Sequence, residues 1–164
     1  MTLLLATPDD EGFLWEMLYE AVFTPPGRPR PSRNILLEPA IARYVTGWGR
    51  AGDTGVVAVH GDSGQAAGAA WFRRFPSDAP VYGFVNAETP ELAMAVRPAF
   101  RGRGVGTSLL NALIEIGRST HPGLSLSVDP ENPARRLYER AGFKDHGSSG
   151  RTMLLDFGST HPRR

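Results

Sequence analysis

The sequence predicts an α+β (mixed α/β) fold, and three observations carry that prediction. Its 164 residues, 41% hydrophobic and 21% charged, suit one globular domain with a sizeable core. Apolar β-favouring runs and stretches of helical periodicity follow one another in the order β, α, α, β, β, β, β, α, β, α, β, β. Gly61-Asp62-Ser63-Gly64, lying between two β runs, is a hairpin signal that puts antiparallel strands inside this mixed pattern.

Leu3 to Ala6 reads as a short buried strand, and Thr7 or Asp9 caps the helix after it, in which Phe13, Leu14, Met17, Leu18, Ala21 and Val22 recur at helical spacing. Thr24 to Arg33 holds four prolines and a glycine in ten residues, which forbids regular structure and predicts a semi-rigid loop. Glu38 to Trp48 regains helical periodicity through Ile41, Tyr44 and Val45, with Pro39 acceptable in a first turn that needs no proline N–H. Gly55 to His60 and Ala66 to Phe72 are the hairpin strands; Val81 to Val85 and Leu92 to Val96 are further strands. Gly104 to Arg118 is helical, with Val105, Leu109, Leu113 and Ile116 on one face. Leu124 to Val128 is a strand and Asn132 to Arg140 a helix ended by Gly142, followed by strands around Phe143 to His146 and Thr152 to Phe157. No repeat interrupts this order, so residues 1–164 read as a single domain with 158–164 as a disordered tail.

Several function classes drop out on composition. With no cysteine there is no disulfide framework, no thiolate metal site and no cysteine nucleophile. His60, His121, His146 and His161 lack metal-ligand spacing, so no metal is predicted. A net charge of +1 gives no reason to expect nucleic acid or a membrane as partner. Met1 to Ala6 lacks the basic lead and cleavage site of a secretion signal, and no run approaches spanning length, which predicts a cytoplasmic protein.

The most informative stretch is Leu92 to Leu110, where an apolar strand ends at Val96-Arg97-Pro98 and a helix begins near Gly104. Between them, Arg101-Gly102-Arg103-Gly104-Val105-Gly106 brings backbone N–H groups close to any ligand, without Cβ atoms in the way, at the positive end of a helix dipole. Two arginines add guanidinium groups suited to phosphate oxygens, so a diphosphate is the candidate ligand; the other reading is a glycine-rich turn with solvated arginines. The G-x-x-x-x-G-K-[ST] pattern of an ATP loop is missing, and Thr107 stands where a dinucleotide fingerprint needs glycine.

Arg101-x-x-Gly104-x-Gly106 resembles the Q/R-x-x-G-x-G/A signature of the GNAT superfamily of acyl-CoA-dependent N-acetyltransferases, and the preceding Val96-Arg97-Pro98 fits it. Downstream, Asn132-Pro133-Ala134-Arg135-Arg136-Leu137-Tyr138-Glu139-Arg140-Ala141-Gly142-Phe143 resembles that family's N-x-x-A-x-x-x-Y-x-x-x-G-F segment. The resemblance implies a central, mostly antiparallel twisted sheet of about six to seven strands with about four flanking helices, splayed between the strands ending near Val96 and Val128. It implies acetyl-CoA as cosubstrate, its diphosphate held by Arg101, Gly102, Arg103, Gly104, Val105, Gly106 and Thr107, with the backbone of Ala95 and Val96 and the side chain of Asn132 along the pantetheine arm. A backbone N–H at Ala95 or Val96 would also face the developing oxyanion. On its own spacing Asn132 is equally a helix cap.

Acyl transfer to an amine needs the neutral amine, only about one part in 10³ to 10⁴ of a group with pKa about 10.4 at pH 7. Glu91 is the candidate general base, directly or through water, with Glu88 and solvent as competitors; Glu91 also reads as the solvated start of its strand. The resemblance places Tyr138 by the thioester sulfur as proton donor to the leaving group, while its position beside Leu137 also suits a core aromatic. Without cysteine, direct attack in a ternary complex is expected, on an acceptor that is a small-molecule or peptide amine. Arg28, Arg30 and Arg33 either steer an acidic or phosphorylated acceptor or simply solvate their loop. A non-catalytic acyl-CoA-binding sensor or interaction module is the alternative function, and the late strands leave a homodimer open.

Overall fold

A computed structural model describes residues 1–78 and 81–158; His161 and, Gly158 apart, the expected tail lie outside the described residues. Strands β1 (Thr2–Leu5), β2 (Thr54–Val59), β3 (Ala66–Arg73), β4 (Glu91–Val96), β5 (Gly123–Ser127), β6 (Lys144–Asp145) and β7 (Thr152–Asp156) form one seven-stranded sheet. Helices α1 (Glu11–Ala21), α2 (Pro39–Ala42), α3 (Val105–Arg118) and α4 (Arg135–Arg140) join them. The strand order is β1-β2-β3-β4-β5-β7-β6, antiparallel at every step except β4 to β5.

The local signals act through recognisable chemistry. Thr7 closes a capping box: its Oγ1 accepts from the Asp9 N–H at 3.2 Å, and its own N–H donates to Asp10 Oδ2 at 2.7 Å. After α4, Gly142 takes φ +107°, and the N–H groups of Gly142 and Phe143 donate to the carbonyls of Glu139 and Tyr138, a Schellman ending. The alternation of strand side chains then divides the core between two faces. On one, Val105, Leu109, Leu110, Leu113 and Ile114 of α3 pack on Ala58, Phe72, Leu124 and Leu126. On the other, Leu14, Met17 and Leu18 of α1 pack with Tyr44, Val45, Trp48 and Trp71.

Two expected elements differ. The helix expected over Glu38 to Trp48 ends at Ala42. Arg73, 1% exposed, explains the early end: its Nη1 donates to the carbonyls of Arg43 and Thr46 at 3.0 and 2.8 Å, oxygens a continuing helix would use itself. Its Nε and Nη2 form a bidentate pair with Asp53, whose Oδ2 also takes the N–H groups of Gly49 and Arg50. The strand expected over Val81 to Val85 is a turn closed by Phe84 N–H on the Val81 carbonyl. Gly83 N–H in that turn donates to the Glu91 side chain, and a Cβ at Gly83 would stand 2.7 Å from the Leu126 carbonyl carbon. The segment packs against the β4–β5 junction instead of adding a strand.

The sheet also parts where the resemblance implied. β4 pairs β3 over six positions and β5 pairs β7 over five, yet β4 and β5 share the single pair Glu91–Ser125, with Ser125 N–H on the Pro90 carbonyl. Beyond it the two strands diverge toward Val96 and Val128.

Candidate active site

The glycine turn lies beyond the wide end of this gap. Gly102 and Gly104 adopt φ +76° and +81°, and a Cβ at either would meet no atom within 4 Å. The first α3 bond after the cap runs from Ser108 N–H to the Gly104 carbonyl, so the N–H groups of residues 102–107 have no acceptor among the described residues. Gly106 lets the helix approach β4: its Cβ would lie 3.3 Å from Met94 Cε and 3.7 Å from Val96 Cγ2. Open N–H groups, a helix of 14 residues and no intruding side chain fit a diphosphate.

The arginines divide their tasks. Arg101 Nε donates to the Val96 carbonyl at 2.9 Å and Nη2 pairs with Glu20 at 3.1 Å, so it braces the turn against α1. Glu20 also pairs with Arg30 at 3.0 Å. Arg103 is exposed over the Phe100 ring and makes no ion pair among the described residues. Val105 is buried in the core, whereas Thr107 is exposed beside the open amides. Arg30 and Arg33 stack over Tyr19 at 4.2 and 4.6 Å, which ties their loop to α1.

Along β4, alternation decides which backbone groups reach the gap. Arg97 N–H donates to the Ala67 carbonyl and Ala69 pairs with Ala95, so Ala95 turns its peptide groups to β3. Pro90, opposite in parity, faces β5, and by the same parity so do Met94 and Val96. The open edge therefore belongs to Met94 and Val96; of the expected pair Ala95 and Val96, only Val96 presents its N–H there, its carbonyl being taken by Arg101.

At the narrow end Glu91 is 3% exposed. Tyr44 Oη donates a hydrogen bond to its Oε2, and Gly83 N–H donates to its Oε1 at 2.9 Å. Burial pushes its carboxyl up from the ordinary 4.5 to about 7, against the pull of the Tyr44 and Gly83 hydrogen bonds and of Arg43. Beside it in the β4–β5 pairing is Ser125, fully buried, whose hydroxyl has no partner among the described residues. Glu88 by contrast is exposed, in a turn closed by the Asn86 side chain.

Tyr138 belongs to the α3 side of the sheet, across from Glu91. Its ring meets Phe143 edge-on at 6.0 Å, burial pushes its phenol up to about 12, and its hydroxyl takes no protein partner among the described residues. Asn132 stands two residues before Ala134, one fewer than the N-x-x-A spacing; its Oδ1 accepts from Ala134 N–H at 2.9 Å, a turn that leaves Nδ2 available. Among the described residues no group of three His, Asp or Glu is arranged to hold a metal, and no helix is long and apolar enough to cross a membrane.

Spacing gave no sign of Tyr44, 47 residues before Glu91, or of Gly83, because both reach the carboxylate only through the fold. Tyr44 registered solely as one apolar member of a helical pattern.

Solved structures that share this fold include proteins named as acetyltransferases. The fold matches a GNAT superfamily phosphinothricin acetyltransferase from Sinorhizobium meliloti in complex with AcCoA, at TM-score 0.66 and 22% identity over 99% of this chain and 91% of that one. It also matches a ribosomal-protein-alanine N-acetyltransferase from Brucella melitensis, at TM-score 0.65 and 23% identity over 95% and 99%. In sequence, no curated protein matches it. The model of the acetyltransferase (GNAT) family, however, matches residues 15–143, a span that starts within α1 and takes in the parted strands, the glycine turn and α4, and so the chain belongs to that family.

Proposed function

We propose that the protein moves an acetyl group from acetyl-CoA to a primary amine by direct attack in a ternary complex, in the cytoplasm and without a metal. The observation that carries this reading is the parted β4–β5 edge, with open α3 amides beyond its wide end and a buried carboxylate at its narrow end.

Acetyl-CoA, when bound, supplies an acyl carbon already activated as a thioester. The N–H groups of residues 102–107, with Arg103, hold the diphosphate; Met94 and Val96 pair the pantetheine arm as an added strand would, with Asn132 Nδ2 as a further donor. Glu91 takes the proton that the incoming ammonium must lose, and a carboxyl near neutrality suits that task. Tyr138, kept protonated by burial, gives a proton to the departing sulfur. Base and acid stand on opposite faces of the sheet, so acceptor and cosubstrate approach from different sides. The structural neighbour named for ribosomal-protein alanine supports a peptide amine as one acceptor class beside small-molecule amines.

Thermal unfolding with acetyl-CoA at about 100 times its dissociation constant tests the reading. Binding stabilises by about 2.7 kcal/mol and raises Tm by roughly 5 to 11 °C. ATP leaves Tm unchanged, and Gly104→Glu, which puts a carboxylate among the open amides at φ +81°, abolishes the shift. CoA release with an amine panel then separates an enzyme from an acyl-CoA sensor; no shift with acetyl-CoA overturns the assignment.

A further inference from the structure

Given Glu91 as the base, we propose that Tyr44 is its positioning residue, holding the carboxylate in one orientation and stabilising its ionised form through the hydroxyl it donates. A buried carboxylate stays ionised only if hydrogen-bond donors replace the water it has lost. Among the described residues two donors reach Glu91, the Gly83 amide on Oε1 and the Tyr44 hydroxyl on Oε2. The other groups beside it, among the described residues, give it no further hydrogen bond. Arg73, its register partner on β3, spends its guanidinium on Asp53 and two carbonyls; Ser125 on β5 is uncharged; Arg43 acts on it through its field.

Tyr44 is built to donate. Trp71 Nε1–H holds its carbonyl at 2.9 Å, the Phe75 ring meets it edge-on at 5.6 Å, and the Tyr82 backbone N–H approaches the phenol oxygen, which leaves the phenol proton for Glu91. Burial and the neighbouring carboxylate raise the Tyr44 phenol far above its ordinary value, so it serves as donor at every working pH.

The inference rests on the proposed role of Glu91 and is tested by ¹³C NMR titration of glutamate-labelled protein, with Glu91→Gln identifying the Glu91 carboxyl signal. In the wild type that signal titrates near neutrality. Tyr44→Phe keeps the ring and moves the midpoint up by about one pH unit, the effect of one lost charge-assisted hydrogen bond. The acid limb of kcat/KM moves equally and KM for acetyl-CoA stays unchanged. Fluorotyrosine incorporated at position 44, a stronger donor, moves the midpoint down and secures the test should Tyr44→Phe fail to fold. An unchanged midpoint overturns the positioning role while leaving Glu91 as base. Wild-type turnover in Glu91→Gln overturns the base and this role with it.

Discussion

Burying Glu91 costs stability in a way that depends on pH. Its carboxyl is raised from 4.5 to about 7, so between those values the folded state holds a proton that the unfolded chain has lost. The stabilisation from the neutral form is fully present below about 4.5 and is lost as pH rises through about 7. Glu91→Gln removes this dependence: relative to wild type it gains on the order of 2 kcal/mol between pH 5 and pH 8, read by urea unfolding at both values. At this scale the sequence was informative where a residue acts through its neighbours along the chain: Gly142 ends α4 as its pattern predicts, and Thr7 caps the 3-10 turn Pro8–Asp10 that leads into α1. It was silent on Tyr44 and on the Arg73–Asp53 pair, since partners 47 and 20 residues apart leave no local trace.

Elements were legible where one face is apolar and the backbone can satisfy itself. The α3 pattern met both conditions and its helix runs Val105–Arg118, one residue from expectation. The α2 pattern met only the first, because Arg73 claims the carbonyls of its next turn. Val81 to Val85 has the composition of a strand, yet Gly83 is drawn to Glu91 and against β5. Gly83→Ala therefore places a methyl 2.7 Å from Leu126 backbone and 2.8 Å from the Glu91 carboxyl, neither of which can give way cheaply. The expected loss is about 1–3 kcal/mol in urea unfolding with an unchanged m value, as for overpacking at a site that cannot relax.

The molecule as a whole is one sheet in two flanks, β1 to β4 and β5 to β7, joined at the single pair Glu91–Ser125. The resemblance carried by the two motifs was enough to expect that parting; which amides it exposes was not legible, because parity along β4 depends on the observed register. Hydrogen exchange reads it directly. The amides of Met94 and Val96 should exchange faster than those of Ala93 and Ala95, which face β3, and acetyl-CoA should slow the first pair by about tenfold or more. In mechanical terms such a sheet is an arch with its crown left open. A load drawn from β3 to β7 falls at the β4–β5 seam on one residue pair, between ladders of six and of five. A ligand seated in the opening, as proposed for the pantetheine arm, would be the keystone, and the force the molecule bears would then vary with how much of that ligand is bound.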